Sequence, residues 1–137
     1  MPRILAIDYG LKRTGIAVTD ELQLIATGLQ AVETHKLIDF LKKYLSENSV
    51  ETILIGEPKR LNNQPTHITH DVYALAEKLK VLFPSAEIKL LDERFTSKMA
   101  QREIAGMGLK KSQRKEKELT DVVSAVILLQ GYLDSIK

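Results

Sequence analysis

The first 32 residues contain three apolar segments rich in β-branched residues, with only short turns between them. These segments are residues 3–9 (RILAIDY), 14–19 (TGIAVT) and 23–32. Short apolar runs bounded by polar turns predict an antiparallel meander of three strands. Such a meander constrains the fold strongly, because every later element must pair with its edge or cover one of its faces.

The remainder of the chain alternates between helical and strand-like patterns. Apolar residues recur at helical spacing after Thr34, a candidate N-cap. The predicted helices cover residues 37–45, 66–83, 97–105 and 118–136, and the later strands cover residues 51–55 and 87–91. The order β-β-β-α-β-α-β-α-α predicts an α/β fold in a single domain over residues 1–137. It implies a mixed five-stranded sheet with helices on both faces.

The composition excludes several classes of protein. Hydrophobic residues make up 44% of the 137 residues, enough for the core of one domain. The absence of cysteine excludes a disulfide framework and a thiolate zinc site. No apolar run approaches the roughly 20 residues of a membrane span, and the first residues lack the apolar stretch of a signal peptide. We therefore expect a cytoplasmic protein with no membrane partner.

Acidic residues stand where predicted strands end and near the start of the final helix. They are Asp8, Asp92, Glu93 and Asp121. A carboxylate is costly within a sheet, so an acid in such a place usually ends the strand, is paired, or binds a metal. Each also has a purely structural interpretation. Asp8 could form a turn, Arg94 could pair with a neighbouring acid, and Asp121 could interact with a helix N-terminus.

Acids converging from several elements would suit phosphodiester hydrolysis. This reaction needs an activated water and neutralised charge on the leaving oxygen, and two divalent ions about 3.5–4 Å apart provide both. Mg²⁺ prefers carboxylate oxygens, and ligand sites in open α/β sheets favour the carboxyl ends of strands. The pattern predicts a site for Mg²⁺ or Mn²⁺.

Two groups of basic residues are candidates for phosphate contact. Lys12 and Arg13 lie in a glycine-containing turn directly after the first acid, where the backbone can approach a ligand closely. The segment 110–117 (KKSQRKEK) carries five cations and one anion, although the net charge of the chain is only +2. It is either a phosphate-binding arm or a solvated loop. The residues of this segment that are candidates for contact with nucleic-acid phosphates are Lys110, Lys111, Arg114 and Lys115.

Four motifs together resemble the YqgF (RuvX-like) family over nearly the whole chain. They are Asp8-Tyr9-Gly10-x-Lys12-Arg13-x-Gly15-x-Ala17-x-x-Asp20, Gly56-x-Pro58, Asp92-Glu93-Arg94-x-Thr96-Ser97 and Asp121-x-x-Ser124-Ala125. Each motif alone is weak, but their order and spacing are specific. Members of this family are described as nucleases of pre-16S ribosomal RNA and as Holliday junction resolvases.

The resemblance implies a ribonuclease H-like fold and metal-dependent cleavage in structured nucleic acid, with 5′-end maturation of pre-16S ribosomal RNA as the expected role. By position it implies Asp8, Glu93 and Asp121 as catalytic carboxylates. Asp92 would share the binding of the metal, and Arg94 would contact phosphate. The chain departs from the family at Glu57, where members often have an apolar residue. Glu57 is therefore either an additional metal ligand or a solvent-exposed residue.

Other functions stay open on the sequence alone. The same chemistry could act on branched DNA, where symmetric cutting usually needs a two-fold dimer, and the chain could be a monomer or a weak homodimer. The fold could also serve a non-catalytic assembly factor that binds RNA or ribosomal particles. A sugar-kinase-like or actin-like function is disfavoured, because 137 residues leave no room for a second lobe.

Overall fold

The computed structural model describes residues 2–57, 69–92 and 113–136, and for residues 57, 69, 92 and 113–121 it describes the backbone alone. All five predicted strands are present: β1 (Arg3–Asp8), β2 (Arg13–Thr19), β3 (Ala26–Glu33), β4 (Val50–Glu57) and β5 (Glu87–Asp92). The described helices are α1 (Leu37–Glu47), α2 (Thr69–Leu82) and α3 (Gln113–Ser135), and a 3-10 turn (Thr34–Lys36) precedes α1. The helix predicted over residues 97–105 lies outside the described residues.

The strands form one mixed sheet in the order β3-β2-β1-β4-β5. β1, β2 and β3 pair in antiparallel fashion, which confirms the predicted meander. β4 and β5 extend the sheet in parallel with β1, which makes β1 the central strand. Because β1, β4 and β5 run in the same direction, their carboxyl ends meet at one side of the sheet, which we call the carboxyl edge.

Side chains alternate along each strand and give the sheet two buried faces. On one face, residues such as Ile7 and Ile55 pack against α1 and α2. On the other face, Ala6, Ala17 and Leu54 pack against α3. The two alanines leave room for the leucine side chains that α3 brings to this face. Helices therefore cover both faces, as predicted.

Helix α3 spans the width of the sheet. Near its middle, Val122 lies directly over Gly28 on the edge strand β3. Towards its C-terminal end, Lys89 Nζ on β5 donates a hydrogen bond of 3.0 Å to Tyr132 Oη. Between these points the helix packs on β2 and β1. None of the described helices is both long and apolar enough to cross a membrane.

The predicted start of the last helix was wrong. Residues 110–117 were interpreted as a basic loop and the helix was placed from residue 118, whereas α3 begins at Gln113. Arg114 and Lys115 are therefore helical, while Lys110 and Lys111 lie outside the described residues. The reason is propensity, because Gln, Arg, Lys and Glu are all good helix formers, and a high charge does not by itself end a helix.

The prediction that Thr34 caps a helix was also wrong. The residue at the N-cap of α1 is Lys36, and it makes no side-chain capping bond. The Thr34 hydroxyl instead donates to the backbone carbonyl of Gly10, in the turn between β1 and β2. A contact between residues 24 positions apart is set by the sheet and not by local capping preference.

The close approach of α3 to β3 gives a test of the fold. A Cβ atom added to Gly28 would lie 2.5 Å from Cγ1 of Val122, too close for either atom to stay in place. We expect Gly28→Ala to destabilise the protein by about 1–3 kcal/mol, because the added atom would force α3 away from β3 at this contact. Chemical denaturation of Gly28→Ala and of Gly28→Ala/Val122→Ala measures this, and the double variant is expected to recover part of the loss.

Gly131 provides the matched control, because a Cβ added there meets nothing within 4 Å. It lies inside α3, so Gly131→Ala is expected to stabilise the protein by roughly 0.5–1 kcal/mol. Equal stability of the Gly28→Ala and Gly131→Ala variants would show that α3 does not lie over β3 in this way.

Candidate active site

Acidic residues occupy the last position of all three parallel strands. Asp8 ends β1, Glu57 ends β4 and Asp92 ends β5. Glu57 and Asp92 are direct register partners, and Ile7 pairs with Ile55, so the three acids follow one another along the carboxyl edge. The sequence predicted the strand-end positions of Asp8 and Asp92. It did not predict that Glu57 belongs to a strand, because the predicted strand ended at residue 55.

Asp8 is the central acid of the carboxyl edge. It lies on β1, and its side chain is half-buried. Alternation places it on the same face as Ala6, which is the face that α3 covers. Its register partner on β2 is Gly15, which has no side chain to fill the space beside the carboxylate.

Asp121 is carried by α3, on the same face of the sheet as Asp8. It is the ninth residue of a helix that starts at Gln113, more than two turns from the N-terminus. A helix dipole acts within about the first turn, so its interaction with the N-terminus does not account for this acid. The next residue, Val122, lies over β3, which is two strands or about 10 Å from β1.

Several predicted site residues have no described side chain. Glu93, Arg94, Lys110 and Lys111 lie outside the described residues, and only the backbone is described for Glu57, Asp92, Arg114, Lys115 and Asp121. Among the side chains that are described, no group of three or more His, Cys, Asp or Glu residues is placed to hold a metal ion. What the structure brings together is therefore a row of three acidic strand ends at one edge. Strand alternation puts Asp8 on the α3 face, whereas position 57, two residues after Ile55, and its register partner at position 92 belong to the opposite face.

The turn that follows Asp8 is tightly closed. A Cβ atom added to Gly10 would lie 2.3 Å from the carbonyl oxygen of Arg13, so only glycine fits there. Lys12 is exposed and Arg13 is half-buried. Lys12 thus lies in the turn directly after Asp8, and Arg13 is the first residue of β2.

Sequence reasoning missed the two threonines that fasten this turn. The Thr34 hydroxyl donates to the Gly10 carbonyl at 2.6 Å, and the Thr34 N–H donates to the Lys12 carbonyl at 2.9 Å. The hydroxyl of Thr14, which is fully buried, lies 3.0 Å from that of Thr34. A hydroxyl among the apolar residues of β2 was the available signal, because a buried polar group needs a partner.

Tyr9 links the carboxyl edge to α2. Burial raises the pKa of its phenol, and the nearby carboxylate of Asp71 raises that pKa further. The side chain packs against the face that carries α1 and α2. At neutral pH, Tyr9 is therefore a neutral hydrogen-bonding group beside Asp8 on the chain and adds no charge to the edge.

Comparison with solved structures identifies the class of fold. RuvC from Thermus thermophilus, solved in complex with a Holliday junction substrate, matches with a TM-score of 0.59 and 18% identity, over 99% of this chain and 96% of RuvC. Another T. thermophilus RuvC structure matches with a TM-score of 0.54 and 15% identity, over 98% of this chain and 96% of that one. The chain is thus an α/β protein with a ribonuclease H-like fold.

Sequence comparison then gives the family. The model of the RuvX family, described as Holliday junction resolvase, matches residues 2–135. A protein of Flavobacterium johnsoniae is 53% identical and one of Porphyromonas gingivalis is 52% identical, each over 98% of both chains. Both carry the name "Putative pre-16S rRNA nuclease". The chain belongs to the RuvX (YqgF) family.

Proposed function

We propose that this protein is a metal-dependent endonuclease that hydrolyses phosphodiester bonds in structured RNA and matures the 5′ end of pre-16S ribosomal RNA in the cytoplasm. One observation carries the proposal: three neighbouring parallel strands all end in an acid at one edge of a ribonuclease H-like sheet. The names of relatives at about 50% identity support RNA as the substrate.

The donor set of the carboxyl edge suits a hard divalent cation. Carboxylate oxygens are the ligands that Mg²⁺ and Mn²⁺ prefer, and the chain has no thiolate to favour a softer metal. The proposed ligands are Asp8, Asp92, Glu93 and Asp121, with Glu57 as an additional one. The bound cation would supply Lewis-acid stabilisation of the phosphate and a more acidic water.

Within that site, each proposed group of residues has a distinct task. Asp8, Glu93 and Asp121 are the proposed catalytic carboxylates, which orient the attacking water and the scissile phosphate. Seven cationic residues are proposed to contact phosphates along the substrate: Lys12, Arg13, Arg94, Lys110, Lys111, Arg114 and Lys115. Proteins recognise RNA duplexes mainly through shape and backbone contacts, so few base-reading side chains are expected among these residues.

Branched DNA is the second candidate substrate, and the description of the RuvX family favours it. Symmetric cleavage of a four-way junction usually requires two active sites related by a two-fold axis. Under this alternative the protein acts as a homodimer and nicks opposing strands at equal rates. A third possibility, an assembly factor without catalysis, predicts RNA binding that does not depend on Mg²⁺ or on the Asp8 carboxylate.

The test compares two labelled substrates under the same conditions. One is a ribosomal RNA precursor that retains its 5′ extension, and the other is a four-way DNA junction, each incubated with Mn²⁺ or with EDTA. We expect cutting of the RNA only, only with metal, at the boundary of the mature 5′ end. An RNA that already has the mature end is the control and should stay intact.

Other outcomes would select the alternatives. Paired nicks in the junction, together with a dimer in sedimentation, would replace RNA by branched DNA as the substrate. Binding of the precursor without any cleavage in Mg²⁺ or Mn²⁺ would leave the assembly factor as the function.

A further inference from the structure

Two threonine hydroxyls form a directed hydrogen-bond chain beneath the turn after Asp8. A carbonyl oxygen only accepts, so Thr34 must donate its single hydroxyl proton to Gly10, at 2.6 Å. The Thr14 hydroxyl, 3.0 Å from Thr34, must then donate to the Thr34 oxygen. The chain therefore runs from buried Thr14 through Thr34 to the Gly10 carbonyl, and such coupled bonds strengthen one another.

Thr34 holds the turn at two points. Its hydroxyl binds the Gly10 carbonyl, and its backbone N–H binds the Lys12 carbonyl at 2.9 Å. Thr34 itself follows directly after β3, which pairs with β2 through Arg13 and Glu33. Thr34, which lies outside the turn at the end of β3, therefore fixes the turn relative to the sheet.

The turn is tightly closed, and Thr34 holds it in place from outside. A Cβ atom on Gly10 would lie 2.3 Å from the Arg13 carbonyl oxygen, so the turn closes tightly against the start of β2. Loss of the Thr34 hydroxyl would leave the Gly10 carbonyl and the Thr14 hydroxyl without these partners. The turn would then shift to reach water, and Lys12 and Arg13 would move with it.

We propose that Thr34 is a positioning residue that sets the placement of Lys12 and Arg13 relative to Asp8 for contact with a substrate phosphate. The inference rests on the proposed nuclease function. Thr34 acts through the turn and does not touch the reacting atoms. Its loss should therefore weaken substrate binding more than it slows the chemical step.

The test is a set of matched substitutions. Thr34→Val keeps the shape and removes the hydroxyl, whereas Thr34→Ser keeps the hydroxyl and removes a methyl group. Thr19→Val is the control, because Thr19 is a buried threonine on β2 whose hydroxyl accepts a hydrogen bond of 2.9 Å from the Ile4 N–H at the far end of the strand. Thr34→Ala, which leaves room for a water, is the second variant should Thr34→Val not fold.

We expect Thr34→Val to raise KM for the RNA precursor about tenfold with kcat changed less than about twofold, because the displaced cations would lose about one hydrogen bond's worth of contact with the substrate phosphate. Thr34→Ser should restore KM, and Thr34→Ala should shift it in the same direction as Thr34→Val. Thr19→Val should lower thermal stability without raising KM. A fall in kcat alone, or no rescue by serine, would overturn the inference.

A double-mutant cycle separates positioning from general structural damage. If Thr34 acts through the two cations, adding Thr34→Val to Lys12→Ala/Arg13→Ala should raise KM no further. An additional tenfold rise in that background would show that Thr34 acts elsewhere and would refute the proposal.

One readout does not depend on catalysis. Trypsin cleaves after Lys and Arg, and a loosened turn should make residues 12 and 13 cleavable in Thr34→Val faster than in wild type or Thr19→Val. RNA affinity in EDTA should fall in the same variant. If wild type cuts no RNA, the proposed function fails, yet faster proteolysis and weaker binding of Thr34→Val would still support the positioning role. Unchanged proteolysis and binding would reject it.

Discussion

Asp8→Asn is expected to reduce metal-dependent cleavage of the RNA precursor by at least about 100-fold, because even the loss of a residue that supports a metal ligand costs up to that much. Asparagine has the shape of aspartate but no charge, so it would be a poor ligand for Mg²⁺. Single-turnover cleavage in Mg²⁺ and in Mn²⁺ measures the effect. Thermal stability should be retained, because asparagine has nearly the same volume as aspartate and the substitution leaves no cavity.

The control for this prediction is Asp39→Asn, the same chemical change at an exposed position on α1. Asp39 lies on a helix that covers the face opposite to that of Asp8. The Asp39→Asn variant should cleave the RNA precursor as fast as wild type. If Asp8→Asn cleaves the RNA precursor at the wild-type rate, the carboxyl edge is not the catalytic site. If it binds RNA and neither protein cleaves, the assembly-factor alternative applies.

The features that sequence predicted well are those fixed by local pattern. Short apolar runs bounded by polar turns located every strand, and Asp8 and Asp92 were found because an acid at the end of such a run marks the strand's end. Helical spacing located α1 and α2. The order of these elements then determined the mixed sheet, since strands entered from helices pair in parallel.

The features that sequence missed depend on partners distant in the chain. Glu57 is a strand residue because it pairs with Asp92 on β5, and neither neighbour in sequence indicates that. Thr34 resembles a helix cap locally, yet its hydroxyl binds Gly10 because β3 returns beside β2. The start of α3 was missed for another reason, since solvated charge was taken as evidence of a loop.

Leu129→Ala is expected to cause the largest loss of stability that we predict, about 2–5 kcal/mol for a fully buried leucine. Leu129 packs with Leu54 and Ala6, where α3 crosses the centre of the sheet. Domains of this kind are stable by only about 5–15 kcal/mol, so the change is a large fraction of the total. Thermal unfolding should show a midpoint lower by about 10 °C or more.

Leu22→Ala is the matched control, because Leu22 is 61% exposed and its truncation should change stability by less than about 0.5 kcal/mol. The packing of α3 also places Asp121 on the face of Asp8, so Leu129→Ala has a functional consequence. Cleavage should be retained well below the lowered midpoint and lost with a steep temperature dependence as α3 leaves the sheet. If Leu129→Ala and Leu22→Ala unfold at the same temperature, α3 does not form this part of the core, and the placement of Asp121 on the face of Asp8 loses its support.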